Sequence, residues 1–179
     1  QKLGHVDGKA TGIYTCRLDP GTGALTITDT MSGIDNPSFL CISPDKKYLY
    51  AVAENGGTPE RPFGSLVAYR ILEKGKLQKI NEVSSYGIAP CYVSTDKSGK
   101  FVLVANYATG NVATYGVQAD GMLTDSLCVE KHPGKSPWAH MIVPSPDGGA
   151  IWAVDKGADR VFIYDISGEG KLKEAFSFS

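Results

Sequence analysis

Few side chains in this sequence are equipped for proton transfer at neutral pH. His140 heads the apolar run Ala139-His140-Met141-Ile142-Val143. A histidine titrating near pH 6.5 suits the role of general base, which typically contributes about 10²- to 10⁴-fold. Its plain alternative is a residue that caps a strand turn. Lys156 and Arg160 are the nearest cations, and an anionic group calls for such residues, ideally a forked arginine contact. For Arg160 an ion pair with Asp159 or Asp155 is the simpler account. His5, in an irregular start, and His132, in the loop Lys131-His132-Pro133-Gly134, read as surface residues. There is no Gly-x-Ser-x-Gly elbow, no His-Glu-x-x-His pair and no phosphate-cradling glycine loop ahead of a helix, which disfavours a serine hydrolase, a zincin or a nucleotide enzyme.

The elements that must hold these residues are short strands, and they repeat. Ser136 to Asp165 reads as three strands, Ala139 to Val143, Ala150 to Val154 and Arg160 to Ile166, split by Pro146-Asp147-Gly148-Gly149 and Lys156-Gly157-Ala158-Asp159. The same pattern occurs upstream, from Pro37 through Ser43-Pro44-Asp45 to Val52 and from Pro90 through Asp96-Lys97-Ser98-Gly99 to Asn106. A third-strand tyrosine recurs as Tyr14, Tyr69, Tyr115 and Tyr164, each followed by a Gly-x-Leu element at Gly23, Gly75, Gly121 and Gly170. The spacing, roughly 50 residues, is that of propeller blades, each a four-stranded antiparallel sheet. No segment carries the helical i, i+3, i+4, i+7 pattern, so helical repeats fail and no helix of consequence is expected.

This predicts an all-β chain: a β-propeller of four-stranded antiparallel blades, with half a blade at 1–35 and full blades at 36–87, 88–135 and 136–179. An open arc leaves the apolar faces of its end blades bare. The expectation is therefore that the remaining blades are supplied in the same or a second chain, with this sequence a fragment, a nicked half or one protomer of a closed ring. The insertion Asn55 to Phe63 reads as a tolerated surface loop. Turn residues at matched positions converge on one mouth, so Glu54, Asn106, Tyr107, Asp155 and Lys156 form the candidate lining. Asp155 and Asn106 have a plain reading as turn caps, favoured for Asp155, and Glu54 as a solvated charge.

Composition bounds the partners. The 179 residues carry a formal charge of −1 with 21% charged residues, against nucleic acid or an anionic membrane as the main partner. No run approaches a spanning helix, and Gln1 to Thr11 has no apolar signal core; the cytoplasm is expected, with a periplasmic or secreted location left open. Cys16, Cys41, Cys91 and Cys128 are far apart and predicted to be free thiols, and no metal or other cofactor is expected.

The repeats Pro37-Ser38-Phe39-Leu40 with Tyr48 to Asn55, Ala89 to Val93, Val104 to Val112, and Ala139-His140 with Val154 to Val161 resemble successive blades of the lactonase family of seven-bladed propellers, which includes propeller-type 6-phosphogluconolactonases and fungal carboxy-muconate lactonising enzymes. The resemblance covers nearly the whole chain from about Gly12. It implies about half of a seven-bladed ring and a site at one mouth of the channel, with a family histidine at His140. A second family histidine two positions earlier is replaced by Trp138, and the family arginine and glutamate belong to blades beyond Ser179. The implied activity is hydrolysis of a sugar lactone such as 6-phosphogluconolactone; with His140 as its base, the candidate substrate contacts, taken from their positions in the repeat, are Glu54, Asn106, Tyr107, Lys156 and Arg160. A muconate-type cycloisomerase and a non-enzymatic module binding protein or glycan are the alternatives, since the fold alone does not choose among them.

Overall fold

The computed structural model describes residues 2–3, 6–60 and 62–179, and His5 lies outside them. Three antiparallel four-stranded sheets follow one another in chain order: β5 (Leu40–Ile42), β6 (Tyr48–Ala53), β7 (Ser65–Ile71) and β8 (Leu77–Ser84); β9 (Pro90–Thr95), β10 (Phe101–Asn106), β11 (Asn111–Val117) and β12 (Leu123–Lys131); β13 (Ala139–Pro144), β14 (Ile151–Asp155), β15 (Arg160–Ile166) and β16 (Leu172–Phe178). Ahead of them β3 (Gly12–Leu18) pairs with β4 (Leu25–Ser32), and the short β1 (Lys2–Leu3) pairs with β2 (Val6–Asp7). The β1–β2 pair is additional to the half blade expected at 1–35; strands of two residues are too short to show an alternating pattern. The helical content of the described residues is one 3-10 turn, Glu73–Gly75, and no helix is long and apolar enough to cross a membrane.

The second strand of each sheet is apolar along its length because both of its faces are covered. In β6, Leu49, Ala51 and Ala53 pack toward Ile13 of the preceding sheet and Ile34 of the segment after it, while Tyr50 and Val52 pack toward Val93, Val104 and Tyr115 of the next. In β10 the same alternation sends Leu103 and Ala105 to Ile142, Ala153 and Phe162. Each fully buried Val, Leu, Ile or Phe among these stabilises the stack by about 1.5–3 kcal/mol, and each alanine by less. Tyr69, Tyr115 and Tyr164 are buried in these seams, whereas Tyr14 is 40% exposed. It lies on the opposite face of β3 from Ile13, where its hydroxyl accepts the Thr11 N–H at 3.1 Å.

The Gly-x-Leu repeat has a backbone cause. Gly23, Gly75, Gly121 and Gly170 all adopt φ between +73° and +87° at the turn from third to fourth strand, a region where a Cβ is strained. The turn also docks on the preceding sheet: a Cβ on Gly121 would lie 2.2 Å from the Tyr48 ring. The first strands lie side by side, β9 against both β5 and β13, which gathers the residues that begin them around a common axis.

Candidate functional site

The second strands of the three sheets stop at Ala53, Asn106 and Asp155, and the residue after each makes the same bond. Glu54, Tyr107 and Lys156 donate their backbone N–H to the carbonyls of Asn36, Ala89 and Trp138 at 3.1, 2.9 and 3.0 Å. Those carbonyls belong to the segments that lead into the first strands. Glu54, Tyr107, Lys156 and the start of β13 are thereby brought to one end of the sheets.

At that end four side chains meet. The Tyr107 ring stands edge-on to His140, with centroids 5.6 Å apart and planes at 86°, and stacks on Trp138 at 5.7 Å. Lys156 Nζ lies 5.7 Å from the centre of the Trp138 ring. His140 and Lys156 are exposed and Tyr107 is half-buried. The cluster places a proton acceptor and a cation on either side of two flat apolar rings, a surface on which the face of a sugar ring can lie.

Two participants are not evident from sequence reasoning as site residues. Trp138 is 39% exposed, and its signal in the sequence is an aromatic immediately before a strand, in the place of the second family histidine. Cys91 occupies in β9 the place that His140 holds in β13; its Sγ lies 3.7 and 3.6 Å from the carbonyl oxygens of Ala139 and His140. Burial first, and the charge of Glu54 second, push its thiol up to about 12. Cys91 is thus a neutral donor, not a thiolate nucleophile.

Three expectations need correction. Asn106 is fully buried and donates from Nδ2 to the Ser85 carbonyl at 3.0 Å, so it supports the loop below the mouth and does not line it. Arg160 is exposed but reaches outward along its sheet, Nη1 to Ser177 Oγ at 3.4 Å, because it opens β15 opposite Asp155 and its neighbour strand is β16. It joins neither the ring cluster nor a pair with Asp155. His132 is a buried residue with 2% exposure, its Nδ1 2.7 Å from Asp155 Oδ2 and its ring stacked on Phe162 at 4.1 Å. Asp155 is itself buried, with Oδ1 accepting the N–H groups of Trp138, Gly157 and Ala158 at 2.7, 2.9 and 2.8 Å, so its turn-capping reading is the one the geometry supports.

Asn55, Gly57, Thr58, Glu60, Pro62 and Phe63 of the insertion help enclose a cleft of about 540 Å³ between the β5–β8 sheet and the segment after β4, where Gly33, Ile34 and Asp35 line it. It is separate from the His140 cluster. Among the described residues no group of three or more His, Cys, Asp or Glu side chains is arranged to hold a metal ion.

Comparison with known proteins adds an independent line. A family model described as Lactonase, 7-bladed beta-propeller matches residues 2–179. The chain is 31% identical over 183 residues to the 6-phosphogluconolactonase of Bacillus subtilis, covering 98% of this chain and 51% of that protein. Among solved structures it resembles the periplasmic gluconolactonase of Pseudomonas aeruginosa, at 34% identity and a TM-score of 0.84 over 93% of this chain and 50% of that one. A Lactobacillus plantarum protein superposes with a TM-score of 0.83 at 28% identity over 96% of this chain and 50% of that one. The chain spans about half the length of the relatives it matches.

Proposed function

The chain belongs to the lactonase family of seven-bladed β-propellers, and from that premise we propose that the protein hydrolyses a sugar lactone at the end of the propeller where His140, Tyr107, Trp138 and Lys156 meet. The observation that supports this most is the exposed His140 ring standing against Tyr107, in a chain similar to a 6-phosphogluconolactonase. We read 1–35 as half a blade and 36–87, 88–135 and 136–179 as three blades, with the rest of the ring in the same or a second chain. The substrate is a small-molecule lactone such as 6-phosphogluconolactone, with neither nucleic acid nor membrane as partner. Four free cysteines suit a reducing compartment, and we place the protein in the cytoplasm; cell fractionation tests that against the periplasm named for the Pseudomonas relative.

Lactone opening needs a proton acceptor for water and a group that tolerates charge at the carbonyl oxygen. His140 Nε2 or Nδ1 takes a proton from water as its oxygen adds to the carbonyl carbon. The ring C–O bond then breaks, and the imidazolium returns the proton to the leaving alkoxide, giving the open hydroxy acid with no net gain or loss of protons at the enzyme. Lys156 offers positive charge for an anionic substituent, and Glu54, half-buried after β6, is a further candidate contact. The test is acid release from D-glucono-δ-lactone and its 6-phosphate, measured above the uncatalysed rate with the full-length protein. His140→Ala should lower kcat by about 10²- to 10⁴-fold. Undiminished turnover in that variant would remove His140 from the mechanism.

A further inference from the structure

Asp155 carries four hydrogen bonds although it is buried. Its Oδ1 accepts from Trp138, Gly157 and Ala158, and its Oδ2 faces His132 Nδ1 at 2.7 Å. A buried carboxylate persists only where donors replace its water, and here two kinds do so: backbone N–H groups from the turn and the strand entry, and one side chain from another loop. The fourth donor requires the Nδ1–H tautomer of His132. That ring stacks on Phe162 at 4.1 Å, with Tyr164 beside it at 6.3 Å, and its backbone N–H is tied to the Gly110 carbonyl.

What this pair holds is the ring cluster. Trp138 is gripped on both sides of its own peptide units, its N–H by Asp155 Oδ1 and its carbonyl by the N–H of Lys156 at 3.0 Å. That grip fixes the main chain from which the Trp138 ring and the Lys156 side chain project. The matched position in the neighbouring sheet works differently. Asn106 reaches only the Ser85 carbonyl, its Oδ1 is buried with no partner, and it makes no bond to Ala89, which stands where Trp138 does. The four-fold clamp therefore belongs to the sheet that carries His140 and is not a requirement of every blade.

We propose that His132 and Asp155 form a buried positioning pair that sets Trp138 and the Lys156 turn against Tyr107 and His140, so that the stacked rings present a fixed platform to the substrate. The platform's role rests on the reading of this end as the lactone site; the positioning does not. Burial, which outweighs the pull of Asp155 and Glu174, keeps His132 below its ordinary titration range, in line with a neutral donor.

Two substitutions separate hydrogen bonding from packing. His132→Phe keeps a ring against Phe162 and removes the donor, whereas His132→Asn loses the ring and keeps an N–H at the Nδ1 place. Fluorine NMR of the full-length protein labelled with fluorotryptophan reads the platform directly, the Trp138 signal being identified by its loss in Trp138→Phe. The expected result is that His132→Phe shifts or broadens the Trp138 signal and raises KM several-fold with a smaller change in kcat, and that His132→Asn restores both. Asp155→Asn, which preserves volume, should move the same signal and stands in if His132→Phe does not fold. A Trp138 signal unchanged in folded His132→Phe or Asp155→Asn overturns the proposal. Because the NMR readout needs no substrate, an inactive wild-type protein would count against the lactonase reading and leave the positioning result to stand or fall by itself.

Discussion

The hydroxyl of Thr114 donates to the carbonyl oxygen of Gly170 across the boundary between two sheets, 2.6 Å away, and Thr15 makes the same bond to Gly75 at 2.9 Å. The third-to-fourth-strand turn of one blade is thus a docking knob for the blade before it. Gly170 has φ +78°, and a Cβ there would come within 2.6 Å of Leu127 and 2.8 Å of Phe101, whereas Gly23 has φ +73° with nothing within 4 Å. Gly23→Ala should cost about 1–2 kcal/mol from the left-handed backbone alone. Gly170→Ala should cost about 1–3 kcal/mol more, because the seam is overpacked as well. Urea unfolding of the full-length protein checks this; equal losses would mean that the turn does not dock.

Acid should weaken the fold through His132. Its folded-state pKa is depressed below 6.5 by burial, against the opposing pull of Asp155 and Glu174. The unfolded chain therefore takes up a proton at this group before the native state does as pH falls through about 6.5. The stability that His132 contributes is complete above that value and is lost below it, down to its lower folded pKa. The urea midpoint should fall on going from about pH 7.5 to about pH 5.5, and His132→Asn should flatten that fall. A variant with an unchanged slope would assign the acid sensitivity to another group.

The strands, the repeat and the turn glycines were legible in the sequence because each depends on local rules: apolar runs where both faces are covered, and glycine where φ is positive. The matched places of Glu54, Tyr107 and Lys156 followed from the same register. The burial of His132 was not legible. A Lys-His-Pro-Gly loop looks solvated until it is known that Asp155 and Phe162 come back across the fold to meet it. Asn106 and Arg160 failed for a related reason, since position in a strand ending says which end of the sheet a residue occupies but not whether its side chain turns inward, outward or along the sheet. In the sequence Trp138 stands only as the replacement of a family histidine; its stacking on Tyr107 depends on two sheets being placed together.

Lys156 offers a sharper test of substrate charge than of catalysis. Its ammonium lies over Trp138 and is exposed, free to meet an anionic substituent. A charge-assisted hydrogen bond contributes about 1.5–3 kcal/mol, so Lys156→Met should raise KM for the 6-phosphate of gluconolactone by roughly 10- to 100-fold and leave KM for the unphosphorylated lactone within about a factor of three. Steady-state kinetics on the two lactones decides. An equal rise for both would make Lys156 part of the general surface and not a phosphate contact.

Cys91 should be dispensable for turnover despite its place at the mouth. It occupies the strand position of His140, and a sulfur in that place invites a covalent mechanism. The environment argues otherwise: burial and Glu54 hold the thiol near 12, and the Sγ faces the carbonyls of Ala139 and His140 as a donor. At neutral pH the thiolate fraction is on the order of 10⁻⁵, and only the thiolate attacks a carbonyl. Serine keeps a donor of similar reach, so Cys91→Ser should retain kcat within about a factor of three, and no acyl adduct on Cys91 should be found by mass spectrometry of protein quenched during turnover. A loss beyond about 10²-fold, or a trapped adduct, would replace the His140 water mechanism with one that passes through sulfur.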